Sequence, residues 1–134
     1  MNILPKKVCV VDDDEAVRDS MHALFESYGI EVEDYPSARD FLTRSTNSSD
    51  CVLLDLDMPE MNGLQLLGVI RERGSLQPVI MITGCGDAHL STLALQAGAY
   101  ALLNKPVQDE VLLHSIACAV AATNAARGTR HLLA

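Results

Sequence analysis

The sequence predicts a single α/β domain, a doubly wound (βα)5 fold with five parallel strands and helices on both faces. Three observations carry that expectation. Short apolar runs, Val8-Cys9-Val10-Val11, Cys51-Val52-Leu53-Leu54 and residues 78–83, suit strands buried on both faces. Between them lie stretches whose apolar residues recur at helical spacing, which makes the strands parallel. Each run also ends on a polar side chain, Asp12, Asp55 and Thr83 in turn. Right-handed crossovers place all those carboxyl ends along one edge, where open α/β sheets bind ligands.

Taken in order, the first strand ends at Asp12-Asp13-Asp14. Val17, Met21, Leu24, Phe25 and Tyr28 then repeat as a helix stopped by Gly29. Residues 30–35 alternate apolar and acidic side chains, as a half-exposed edge strand does. Pro36-Ser37 opens a short helix carrying Ala38, Phe41 and Leu42, and Asn47-Ser48-Ser49-Asp50 is a turn. The third strand runs into Asp55, and Asp57, Pro59 and Asn62-Gly63 mark the loop after it. Gly63 is expected to supply backbone freedom before a helix over residues 64–73 closed by Gly74. The fourth strand, residues 78–83, leads into the loop Gly84-Cys85-Gly86-Asp87 and a helix over residues 89–97 capped by Gly98. A fifth strand over residues 100–103, the turn Asn104-Lys105-Pro106 and a last helix from Asp109 to about Ala126 complete the pattern.

The 134 residues form one domain, with residues 1–126 as its body. Residues 127–134 read as a short patternless tail, frayed, and a candidate start of a linker to an effector domain. A formal net charge of −8 argues against a nucleic-acid surface. No apolar run approaches the ~20 residues needed to span a bilayer, and no signal-peptide pattern opens the chain. Cys9, Cys51, Cys85 and Cys118 form no Cys-x-x-Cys pair. Three lie in apolar surroundings, as buried free thiols of a reducing cytoplasm do. His22, His89, His114 and His131 show no ligand spacing and read as surface or half-buried side chains.

The sheet edge gathers Asp12, Asp13, Asp55, Thr83 and Lys105 from four strands. Carboxylates about 4 Å apart repel by roughly 4 kcal/mol per pair at an effective dielectric near 20, so the cluster calls for a cation. An all-oxygen set with room for water favours Mg2+ over zinc, with Mn2+ as an alternative. Aspartate is a competent nucleophile toward phosphorus once charge on the phosphoryl oxygens is neutralised. Lys105 adds a point charge and Thr83 a hydroxyl donor. The set reads as phosphoryl transfer onto aspartate.

Val10-Val11-Asp12-Asp13-Asp14, the stretch from Leu53-Leu54-Asp55 to Asn62-Gly63, Ile82-Thr83-Gly84 and Asn104-Lys105-Pro106 together resemble a response-regulator receiver domain of two-component signalling. The resemblance covers about residues 6 to 125. Four motifs in order at four strand ends make it specific. The wording around Asp12 is most similar to the subgroup that usually precedes a LuxR-type helix-turn-helix.

That resemblance implies the flavodoxin-like strand order 2-1-3-4-5 and a set of roles. Asp55 would be the phosphoacceptor. Asp13 and Asp55 would bind the metal by side chain, the backbone carbonyl of Asp57 would be a third ligand, and Asp12 would act through a metal-bound water. Thr83 and Lys105 would hold the phosphoryl group, Gly84 would leave the donor a path, and the Lys105–Pro106 bond would be cis. The phosphodonor would be a sensor histidine kinase or a small acyl phosphate. The fourth helix, fifth strand and last helix, with His89, Leu93, Tyr100 and Leu102, would present the output face. A homodimer or an effector domain would read it, toward a transcriptional output. The family commonly has Phe or Tyr three residues before the lysine, and here that position is Leu102. Its aromatic switch is therefore in question, and coupling is expected to run through Thr83 and the helix after it.

Two other classes remain as alternatives. A degenerate receiver would keep the fold as a phosphorylation-independent binding module. Leu54-Asp55-Leu56-Asp57 also resembles the Asp-x-Asp start of haloacid-dehalogenase-type phosphatases, but Met58-Pro59 and the short chain count against that reading.

Overall fold

A computed structural model describes residues 4–133, with side chains described for residues 4–126. Ten elements alternate along the chain: β1 (Lys7–Val11), α1 (Glu15–Ser27), β2 (Glu31–Tyr35), α2 (Ala38–Arg44), β3 (Cys51–Asp55), α3 (Gly63–Glu72), β4 (Val79–Thr83), α4 (Ala88–Gln96), β5 (Ala101–Asn104) and α5 (Asp109–Leu133). The strands form one parallel sheet in the order β2-β1-β3-β4-β5. The doubly wound, flavodoxin-like order expected from the sequence is therefore the observed one.

The apolar runs sort by parity onto the two faces of the sheet. Cys9, Val11, Val52, Leu54, Val79 and Met81 pack with Phe41 of α2, Leu66, Leu67 and Ile70 of α3 and Ala94 of α4. Val8, Val10, Cys51, Leu53, Ile80 and Ile82 face Phe25 of α1 and Leu112, Ile116, Ala119 and Val120 of α5. Every residue of β3 and β4 is buried, because helices cover both their faces. The edge strand β2 is half-exposed, as its alternation predicts.

Helix starts follow side-chain chemistry. Asp14 caps α1 by accepting the Ala16 N–H at 2.9 Å, which leaves Asp12 and Asp13 free for other work. Ser37 caps α2, Asp87 caps α4, and Asn62 with Gln65 closes a reciprocal capping box on α3. Gly29, Gly74 and Gly98 follow helices at positive φ, the backbone state that glycine reaches without a Cβ penalty.

Four details differ from the sequence expectation. Gly63 is the first residue of α3 and carries no positive φ; what excludes a side chain there is space. An added Cβ would lie 2.6 Å from Met81 Sδ and 2.8 Å from the Asp55 carbonyl oxygen. Tyr100 sits just before β5 and is exposed, since strand pairing begins at Ala101 opposite Ile80. Of the four free cysteines only Cys9 and Cys51 are buried; Cys118 is half-buried and Cys85 exposed. Helix α5 also runs past Ala126 to Leu133, through the stretch expected to be a tail. Its i→i−4 hydrogen bonds are local, so a helix already formed over the Ala-rich residues 117–126 propagates onward without an apolar stripe to guide it.

Candidate functional site

The carboxyl end of the sheet collects the chemistry. Buried β1 delivers Asp12 directly at its end, and buried β3 delivers Asp55; both are about 4% exposed or less. Asp13, one residue later, turns toward solvent. Asp12, Asp13 and Asp55 each bring a carboxylate oxygen to within 4.8 Å of the others. Lys105, just beyond β5, reaches back over the cluster, with Nζ 3.5 Å from Asp55 Oδ1 and 3.6 Å from Asp12 Oδ2. Its bond to Pro106 is cis.

Burial dominates the electrostatics of Asp55. Desolvation pushes its carboxyl up to about 6, with the neighbouring Asp12 and Asp57 adding to the rise; the Asp57 N–H and Lys105 work against it. The Asp57 N–H donates to Asp55 Oδ1 at 3.1 Å, and the Asp14 N–H donates to Asp12 Oδ1 at 2.8 Å. Lys105 moves the other way to its own desolvation: the carboxylates Asp12 and Asp55 outweigh that cost and hold its ammonium above the ordinary lysine value. Three convergent carboxylates facing one lysine make an under-neutralised pocket. Its donors are all oxygens, the set that a hard divalent cation takes.

Thr83 ends β4 fully buried, and its backbone carbonyl accepts the Lys105 N–H at 2.8 Å, which ties the carboxyl ends of β4 and β5 together. Gly84 is exposed, with no atom within 4 Å of an added Cβ, so the approach above Thr83 is open. Asp12, Asp13, Asp55, Thr83, Gly84 and Lys105 thus lie on one rim. Sequence reasoning missed the Asp57 side chain. It was expected to contribute its backbone carbonyl, yet its Oδ2 accepts both the Thr83 hydroxyl at 2.9 Å and the Gly84 N–H at 3.1 Å. Nothing in the spacing signals that contact, because a loop residue's rotamer depends on neighbours from another strand.

Arg18 was missed as well. It donates to the Asp12 backbone carbonyl at 2.7 Å and to Asp34 Oδ2 at 2.8 Å, bracing the acidic corner from α1. Of the residues expected on the output face, His89, Leu93 and Tyr100 are exposed and Leu102 is half-buried against the α3–α4 side of the core. Among the described residues, His22 pairs with Asp34 and Glu26, and His114 lies beside Cys118 at 3.5 Å; His131 lies outside the described side chains. No described helix is long and apolar enough to cross a membrane.

Comparison with known proteins agrees with this geometry. Residues 8–117 match the response regulator receiver domain. The chain is 38% identical over 115 residues to the transcriptional regulatory protein TdiR of Thauera aromatica, covering 85% of this chain and 51% of TdiR. It is 38% identical over 110 residues to the transcriptional regulatory protein FixJ of Azorhizobium caulinodans, covering 81% of this chain and 52% of FixJ. The chain therefore spans about half the length of these curated relatives. A receiver domain crystal structure from Clostridium thermocellum superposes with a TM-score of 0.81 at 32% identity, covering 88% of this chain and 96% of that one. Fold, strand-end chemistry and sequence all agree, and the chain belongs to the receiver-domain family of two-component response regulators.

Proposed function

We propose that Asp55 is the phosphoacceptor of a two-component switch. One observation carries the reading: the Asp55 carboxylate lies 4% exposed at a strand end, 3.5 Å from Lys105 Nζ and clustered with Asp12 and Asp13. A carboxylate oxygen of Asp55 attacks phosphorus, and the bond to the donor breaks. The donor is a phosphohistidine of a sensor kinase, whose imidazole leaves and takes up a proton, or a small acyl phosphate. Asp13 and Asp55 side chains and the Asp57 backbone carbonyl would hold Mg2+ (Mn2+ would also suit), with Asp12 acting through a bound water. Bound there, the cation would supply neutralisation of the phosphoryl oxygens. Lys105 holds one phosphoryl oxygen as a point charge, and Thr83 and Gly84 donate hydrogen bonds to the others. The chain turns over no substrate of its own beyond this transfer and the later hydrolysis.

The added charge, about −2, biases a two-state surface made by α4, β5 and α5. His89, Leu93, Tyr100 and Leu102 stand on it as the contacts for a second copy or an effector domain. Transcriptional control is the output supported by the relatives TdiR and FixJ, which are named as transcriptional regulators. The residues after Ala126 would then lead toward a DNA-binding unit, and the setting would be the cytoplasm. Leu102 in place of an aromatic ring weakens the usual reporter and favours coupling through Thr83 and α4.

Intact mass after incubation with Mg2+ and acetyl phosphate tests the reading, beside an Asp55→Asn control. An adduct of about 80 Da lost in the control supports it. No adduct together with no Mg2+ binding would instead support the phosphorylation-independent binding module.

A further inference from the structure

The Thr83 hydroxyl is fully buried, and a buried hydroxyl needs an acceptor in every state of the protein. Here that acceptor is Asp57 Oδ2, at 2.9 Å, and the same oxygen accepts the Gly84 N–H at 3.1 Å. These are the two donors that a phosphoryl group on Asp55 would draw on. A hydroxyl and an amide each carry one proton to donate, so neither serves Asp57 and a phosphoryl oxygen fully at once. Asp57 is also tethered to the acceptor itself, through its N–H to Asp55 Oδ1 at 3.1 Å.

We propose that Asp57 is a positioning residue that stands in for the phosphoryl group: its carboxylate holds Thr83 and Gly84 while Asp55 is unmodified, and phosphorylation has to displace it. The inference rests on Asp55 as phosphoacceptor and deepens that reading. An anion replaces an anion on the same donors, so the Thr83 hydroxyl and the Gly84 N–H pass from Asp57 to a phosphoryl oxygen without being left unpaired. As Thr83 follows its new acceptor toward α4, residues 57–62 lose their seat, and this segment leads into α3 through the Asn62 cap. With Leu102 unable to follow Thr83 as a ring would, the β3–α3 loop becomes the first structural reporter of phosphorylation.

The competition also sets affinity. Removing the Asp57 carboxylate frees both donors while keeping the backbone carbonyl proposed to bind the metal. The test titrates beryllofluoride, a phosphoryl mimic, in the presence of Mg2+ into wild type, Asp57→Ala, Asp57→Asn, Thr83→Ala and the Asp57→Ala/Thr83→Ala double variant. Asp57→Ala is expected to bind the mimic about tenfold more tightly, the size of one charge-assisted hydrogen bond. Asp57→Asn, of the same shape without the charge, is expected to fall between it and wild type. In the Thr83→Ala background the gain should largely vanish, which separates competition for the hydroxyl from a general loss of negative charge.

A second readout needs no mimic. The Gly84 amide proton resonance should move upfield in Asp57→Ala, and in wild type it should stay downfield on mimic binding while amides 57–62 shift. Mimic binding in wild type that Asp55→Asn abolishes, with no gain in Asp57→Ala, overturns the inference and leaves the phosphoacceptor standing. A gain equal in both Thr83 backgrounds overturns it too. Failure of wild type to bind the mimic overturns the phosphoacceptor and the inference together.

Discussion

Gly63 and Met81 are packed so closely that an added Cβ on the glycine would lie 2.6 Å from the Met81 sulfur. The same Cβ would stand 2.8 Å from the Asp55 carbonyl oxygen and 2.9 Å from Leu56 Cα, and neither of those backbone atoms can rotate away. The start of α3 is therefore pressed against the end of the strand that presents Asp55. Gly63→Ala is expected to destabilise the domain by about 1–3 kcal/mol through overpacking. Urea unfolding reads the loss. The variant should also bind Mg2+ more weakly, since Asp55 has to shift.

Arg71 stitches the opposite end of the sheet. Its guanidinium donates to the carbonyls of Ser75 at 3.1 Å, Gln77 at 2.8 Å and Gly98 at 2.9 Å, joining α3 to both segments that flank β4 and α4. Arg71→Ala strands those acceptors and should cost about 2–3 kcal/mol, as for lost hydrogen bonds to a charged group. Arg71→Lys should recover only part, because an ammonium lacks the planar fork that reaches three carbonyls. Unfolding midpoints of the two variants settle the order.

Divalent cation binding should appear as stability. At a concentration 100 times its dissociation constant, Mg2+ is expected to stabilise wild type by about 2.7 kcal/mol. Asp13→Asn should abolish most of that gain. Without metal the same variant should be no less stable than wild type, because it removes one of three crowded carboxylates. Urea titrations with Mg2+ and with chelator give all four values.

The pair His22 and Asp34 makes stability depend on pH. The Asp34 hydrogen bond holds His22 above its ordinary 6.5, against desolvation and with help from Glu26. A raised folded value means that this stabilisation is complete below 6.5 and fades as pH climbs through the folded value. Burial pushes the Asp34 carboxyl up, yet the His22 and Arg18 hydrogen bonds outweigh it and keep it below 3.8, so its share is lost as pH falls through that range. The side chains are about a third exposed, which limits the His22 effect to less than about 1 kcal/mol. The melting temperature should decline from about pH 6 to 8 by more in wild type than in Asp34→Asn.

Thiol labelling should rank the cysteines by burial. Cys85 is exposed and should react first with a disulfide reagent, then half-buried Cys118. Burial pushes the Cys51 thiol up to about 12 and Cys9 higher still, so both should label only when the domain unfolds. Early labelling of either would mean that the sheet core opens locally.

Much of the fold was legible because strand burial and helix spacing are local patterns. Residues 51–54 and 79–82 are apolar throughout since both faces of each strand are covered, and residues 31–35 mix acidic and apolar side chains since β2 is an edge strand partly open to water. The site was legible for a related reason. Asp12, Asp55 and Thr83 each follow an apolar run directly, so any parallel arrangement brings them to one rim.

By itself, then, the sequence determined five β-α units, their parallel order by resemblance, and the carboxylates, hydroxyl and lysine that share an edge. Only the tertiary structure decided why residue 63 is glycine, that Arg18 braces Asp12, and that the Asp57 carboxylate occupies Thr83 and Gly84. Periodicity reports which way a side chain faces within its own element. A clash with Met81 or a hydrogen bond from another strand depends on atoms far apart in the chain, and those distances exist only once the sheet has assembled.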